Sequence, residues 1–261
     1  VIEAGNTVTI SVAGEGEHNL NFYAIYNAGN TESTKTKTIN IKYYDREIND
    51  SPKPPPVVNP NPIADPLLSH SGEIDFSITD LTIPGRGMPF SFGRTYRSQI
   101  EFNGPLGYNW DFNYNERLIE KPADNKIIYL KGSARHDEFT KNPDGSYATP
   151  IGFYTRLSNQ PDGSFLLEER DGTKKVFGLS TLANHYVLIS IADHNGNQIT
   201  FNYNTKGYLS EIVDALGRTI TVRWGANNRI SEIEDFSGRK VKYTYDDDYN
   251  LTNVTSPATD E

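Results

Sequence analysis

Residues 189–254 hold one pattern written three times: IADHNGNQITFNYNTKGYLSE at 191–211, IVDALGRTITVRWGANNRISE at 212–232 and IEDFSGRKVKYTYDDDYNLTN at 233–253. Asp193, Asp214 and Asp235 stand 21 residues apart, as do Gly196, Gly217 and Gly238. Five apolar columns keep the same step: Ile191/Ile212/Ile233, Ile199/Ile220/Val241, Phe201/Val222/Tyr243, Tyr203/Trp224/Tyr245 and Leu209/Ile230/Leu251. With 36% hydrophobic residues, five columns matching three times by chance has odds of roughly 10⁻⁷. Val254 starts a fourth copy.

Each copy reads as two short strands and two turns. In the second, Ile220, Val222 and Trp224 alternate onto one face, Gly225–Asn228 turns the chain, and Asp235–Gly238 turns it again. Leu209 and Ile212 are three apart, a step that strict alternation forbids, so the return strand carries a β-bulge or Leu209 belongs to the turn; the bulge is the preferred reading. One hairpin cannot bury its face alone. Stacked at a fixed step, the hairpins predict a continuous, curling antiparallel sheet.

Working upstream, turn signals recur at Pro122–Asn125, Asn142–Gly145, Pro161–Gly163 and Asp171–Gly172, with strand-length segments Ile127–Leu130, Ile151–Leu157, Phe165–Glu169 and Lys174–Phe177 between them. Nothing shows a period of 3.6, so the fold class is all-β. Residues 51–66, SPKPPPVVNPNPIADP, hold seven of the 15 prolines and predict an extended spacer, or a strap along a surface. Residues 1–50 alternate at Val8, Ile10 and Val12, then Leu20 and Phe22, then Ile39 and Ile41, as a sandwich edge does. The expected domains are a partial β module at 1–50, the Pro-rich linker at 51–66, a β region at 67–188 and the repeats at 189–261.

Composition narrows function. Zero Cys excludes disulfides, thiolate metal sites and a cysteine nucleophile. A net charge of −9 argues against nucleic acid or anionic lipid as a partner, and the longest apolar run, Phe22–Tyr26, cannot span a membrane. The chain starts at Val1 without a basic-then-apolar leader, and is expected to be a piece of something longer.

The repeat resembles the YD repeat of Rhs proteins, marked by an aromatic–Asp dipeptide followed by Gly-x-Leu and Ile-x-Asp. Tyr245–Asp246 matches, whereas Tyr203–Asn204 and Trp224–Gly225 depart from it; the glycine persists at Gly207 and becomes Asn228 and Tyr249. The stretch DPLLSHSGEIDFSITDLTIPGRGMPFSFGRTYRSQ at 65–99, followed by GPLGYNWDFNYNERL at 104–118, resembles the opening of Rhs and wall-associated YD-repeat proteins. Its marks are Asp65–Pro66, Gly72, Asp80, Pro84–Gly85–Arg86–Gly87, Arg94–Tyr96 and Gly104–Trp110. The N-terminal GEHNLNFYAIYNAGNTES resembles bacterial immunoglobulin-like surface repeats. The Rhs resemblance implies a secreted or cell-surface bacterial polymorphic toxin whose repeats spiral into a hollow β-shell around a C-terminal toxic domain. Its partner would be its own toxin domain, and the self-cleaving aspartate motif of that family is not in this sequence. The alternative is an adhesion or carbohydrate-binding protein meeting a cell-surface glycan or protein.

His18, His70, His136, His185 and His194 lack metal-ligand spacing. Asp193–Asn197 has the look of a calcium loop without its distal Glu, and reads better as a turn with Gly196 at positive φ. Glu168 and Glu169 face opposite sides of a strand and cannot flank one glycosidic bond, while Ser69, His70 and Asp75 lack a nucleophile elbow. Pro84, Gly85, Arg86 and Gly87 predict a sharp reversal with Arg86 paired to a nearby acid. The expectation is a non-enzyme with no cofactor and no metal. Limited proteolysis should cut near Val57–Ile63 and leave a stable fragment of about 22 kDa; resistance there to several proteases would contradict a free linker.

Overall fold

A computed structural model describes residues 16–22, 33–41, 67–68, 73–100, 102–133, 136–150 and 152–257. The chain divides into two units, Val1–Glu47 and Ile48–Glu261. In the first, the described residues form one antiparallel hairpin, Gly16–Phe22 against Lys35–Ile41. One hairpin does not make an immunoglobulin-like sandwich, and the rest of that reading, like the Pro-rich stretch 51–66, falls outside the described residues.

The second unit is all-β. Among the described residues there is no α-helix, only single 3-10 turns at Pro122–Asp124 and Ala226–Asn228. A large sheet of 14 strands runs through Arg117–Lys121 and His185–Ala192, then takes the six repeat strands in chain order from Gln198–Tyr203 to Leu251–Thr255. His185–Ala192 is the junction. One edge pairs with Arg117–Ile119 and then with Gln198–Thr200, while the other holds Lys174–Leu179. Over this stretch the sheet is large and uncurled, so the expected curl is not a property of three repeats. The expected Ile151–Leu157 strand is also shorter: only Arg156–Asn159 is strand, after a turn in which Gly152 takes φ +84°.

All five apolar columns lie in one core cluster. Their parity works because each return strand carries the bulge: Phe201 faces Ile212 and Tyr203 faces Leu209, leaving Ser210 extra. The same shift recurs at Arg223/Trp224 and Thr244/Tyr245. The extra residues Ser210, Ser231 and Thr252 are all hydroxylic, and each donates to the carbonyl eight residues earlier, Asn202, Arg223 and Thr244. Each hydroxyl thus satisfies a carbonyl where the ladder is interrupted.

Tyr203, Trp224 and Tyr245 are half-buried against this core. Their rings do not stack on each other, because a return strand lies between successive copies. Each instead reaches back across the previous return strand. Tyr203 Oη donates to Leu188 O at 2.9 Å, Trp224 Nε1 to Leu209 O at 2.6 Å and Tyr245 Oη to Ile230 O at 2.7 Å. Pairing between Leu209–Val213 and Thr219–Trp224 stops at Glu211 and Thr221, so the ring N–H or O–H takes over where backbone bonding ends. Trp224 also stacks on Tyr208 with centroids 4.8 Å apart. In chemical denaturation Trp224→Ala should cost about 2–4 kcal/mol and Trp224→Phe about 1 kcal/mol, the second isolating the orphaned Leu209 carbonyl. Equal midpoints for Trp224→Phe and the parent would refute the anchoring bond.

Candidate functional site: the seam between opening segment and repeats

The apolar face of the repeats needs a cover, and residues 73–114 supply it. Glu73–Ile83 and Phe90–Arg97 pair as a hairpin extended by Trp110–Phe112. Leu81, Ile83, Phe90, Phe92 and Phe112 are almost wholly buried in the same cluster as the repeat columns. The predicted reversal at Pro84–Gly87 is the loop of this hairpin. Gly87 has φ +87°, and a Cβ there would sit 2.3 Å from Asn197 Nδ2, so the loop rests directly on the first repeat's turn. Arg86 departs from expectation. It is exposed and has no acidic partner among the described residues; the guanidinium serving this loop is Arg218, whose Nη2 donates to Pro84 O at 2.6 Å.

The turn residues explain that contact. Asp193, Asp214 and Asp235 accept two backbone N–H bonds on Oδ1 and one side-chain bond on Oδ2, from Asn197, Arg218 and Arg239 respectively. Gly196, Gly217 and Gly238 take the positive φ that closes each turn. Asp193's oxygens are therefore occupied by N–H donors, and among the described residues no group of three or more His, Asp or Glu is placed to hold a metal. The fourth residue after each Asp projects toward the opening segment: Asn197 meets Gly87, Arg218 meets Pro84, and Arg239 Nη2 donates to Thr82 O at 3.3 Å.

At the centre of the seam lies a buried polar network. Asp80, the bulged residue of its strand, accepts Arg94 Nε at 3.0 and 2.9 Å and Tyr243 Oη at 2.9 Å. Arg94 also lies over the Trp110 ring, 4.5 Å from its centroid. Burial pushes the Asp80 carboxyl above its ordinary value, against the attraction of Arg94 and the two hydrogen bonds. A second clamp joins the Asn103–Tyr108 loop to the second and third copies. Arg229 bonds Asn103 Oδ1, Ile230 N donates to Pro105 O at 2.9 Å, and a Cβ on Gly107 would lie 2.8 Å from Tyr249 O.

The other candidates stay apart. Ser69 and His70 lie outside the described residues, and Asp75 stands 3.9 Å from Arg97. Glu168 and Glu169 pair with Lys174 and Lys175. Asp80 and Arg94 were legible only as parts of the opening resemblance, and their bond to Tyr243 was not. The column Asn197/Arg218/Arg239 carries the 21-residue step too, but its residue type changes between the first copy and the others, so it stands out less than the Asp and Gly columns.

The turn aspartates give a pH signature. In Asp214 and Asp235 burial raises the carboxyl, but the arginine and backbone donors, joined by Ser237 at Asp235, outweigh it, so both sit below the ordinary value of 3.8. Asp193 and Asp246 are lowered as well, first by Asn197 and Asn250. A depressed carboxyl stabilises the fold above its unfolded value and loses that contribution as pH falls through the folded one; Asp80, raised, acts in the opposite sense. The urea midpoint should therefore fall as pH drops below about 4. A double Asp214→Asn, Asp235→Asn variant should show a shallower fall, and an unchanged slope would contradict the capping role.

A family described as a domain of unknown function (DUF6531) matches residues 64–139, a range that includes the cover. The chain is 28% identical over 144 residues to the tRNA nuclease WapA of Bacillus subtilis strain 168, covering 55% of this chain and 6% of that protein. It is 30% identical over 144 residues to the tRNA3(Ser)-specific nuclease WapA of Bacillus spizizenii, with the same coverages. The probable deoxyribonuclease RhsA of Dickeya dadantii is 28% identical over 154 residues, 58% of this chain and 10% of that protein. The chain thus spans a tenth or less of the length of these relatives. Together the likenesses support the Rhs and YD-repeat kinship read from the opening motif and the repeat.

Proposed function

We propose that this chain is the non-catalytic opening of a secreted or cell-surface bacterial toxin shell, whose YD repeats enclose and deliver a C-terminal toxin domain. One observation carries the reading: relatives named for different nucleic acid substrates, tRNA and DNA, each match more than half of this chain, so their matches overlap within it. A segment held in common across different chemistries is suited to a containing role, with substrate choice encoded elsewhere in those chains. The internal chemistry agrees. The turn carboxylates are occupied by N–H donors, and the arginines of the seam are spent on protein carbonyls and carboxylates.

The adhesion alternative draws no comparable support. Sugar rings stack on aromatic side chains that face solvent, whereas Tyr203, Trp224 and Tyr245 pack on the core and spend their polar atoms on backbone carbonyls. No helix among the described residues is long and apolar enough to cross a membrane. The purified chain should cleave neither tRNA nor duplex DNA, and any cleavage abolished by one point mutation within residues 1–261 would overturn the proposal. In the parent protein, deleting residues 67–257 should expose the C-terminal domain to protease.

A further inference from the structure

The contacts between repeats and opening segment advance in order. Equivalent residues of the three copies, Asn197, Arg218 and Arg239, meet Gly87, Pro84 and Thr82, walking back along the opening hairpin. The spacing has a geometric cause. Two strands of a sheet advance about 9.6 Å and a strand rises about 3.3 Å per residue, so one repeat corresponds to about three residues of a strand laid across it. We infer that Glu73–Ile83 is a ruler for the repeats, and that its distal half is the docking surface for a fourth repeat hairpin added at the free edge of Leu251–Thr255. This inference rests on the shell reading and specifies how the shell grows.

Three independent observations point to the same occupant. First, the face that buries Leu81 and Ile83 continues past the Asp80 bulge as Ile74, Phe76 and Ile78 beside Tyr96 and Trp110. There Ile74 and Ile78 are 39% and 38% exposed, against 3% and 1% for Leu81 and Ile83. Second, the last described return strand is under-covered: Leu251 and Val254 are half-buried, whereas their counterparts Leu209, Ile230, Ile212 and Ile233 are buried. Third, the carbonyls that receive the aromatic anchors are Leu188, Leu209 and Ile230. The next in that 21-residue series is Leu251, on the strand that has no further partner among the described residues. A hairpin of the same pattern would pair with 251–255, offer its aromatic to Leu251 O and lay its apolar face on Ile78 and Phe76.

The test compares the 261-residue chain with one lengthened by a fourth repeat, made by inserting a second copy of residues 214–234 directly after Thr255, which keeps the 21-residue register. Ile78→Asn should leave the denaturation midpoint of the original chain nearly unchanged. In the lengthened chain it should lower the midpoint clearly, and amide exchange at Val254, whose N–H faces the free edge, should slow at least tenfold relative to the original. An Ile78→Asn effect of equal size in both chains, or an unprotected 251–255 edge, would overturn the ruler. Either result leaves the non-catalytic reading standing, since that depends on the absence of turnover and not on register. If the lengthened chain fails to fold, exchange at Val254 in the original chain with the fourth repeat added as a separate peptide decides between the same outcomes.

Discussion

A sheet built from identical hairpins has one apolar face that no hairpin in it can cover, and the rest of this structure follows from how that face is closed. The cover is the 73–114 segment, fastened by the bond from Tyr243 to Asp80 and the pairing of Asp80 with Arg94. Buried ion pairs contribute little net stability against an apolar alternative, but breaking one by removing a partner is costly. This network is therefore better understood as setting register: only one placement of the cover brings Asp80 to Tyr243 and, at the same time, Pro84 to Arg218 and Thr82 to Arg239.

The repeat solves a second problem, that of bending a strand pair without losing backbone bonds. Each repeat bulge interrupts the ladder at one residue and is answered by a hydroxyl, and at Leu209 and Ile230 the aromatic of the next copy adds its N–H or O–H. The Asx-type turns do the same at the opposite end. Where the second copy has Gly225 in place of Asn204 or Asp246, the cap is lost, and Asn227 and Asn228 take φ of +50° and +58° to close a 3-10 turn instead. Tyr249 occupies the matching position with φ +63°, a conformation Gly207 adopts without strain.

Much of this was legible in the sequence because apolar spacing is a direct record of burial. The five columns named the inner face, and the odd step from Leu209 to Ile212 signalled the bulge. The turn glycines and aspartates were legible because their backbone demands are local. The seam was not. Asp80, Arg94 and Tyr243 are distant in sequence, and a single polar residue opposite a distant partner leaves no periodic trace. Arg86 misled for a related reason: a loop arginine suggests a partner, but the ion pairs of this face belong to arginines in the 21-residue register.

The two tryptophans of the chain stand on opposite sides of the seam, Trp110 in the cover and Trp224 in the second repeat. Single-tryptophan variants, Trp224→Phe to watch Trp110 and Trp110→Phe to watch Trp224, let fluorescence follow each side separately through urea denaturation. If cover and repeats are one cooperative unit, each variant should give a single transition whose fluorescence midpoint coincides with its own circular dichroism midpoint. Fluorescence and circular dichroism midpoints that part company within either variant would contradict the interlock.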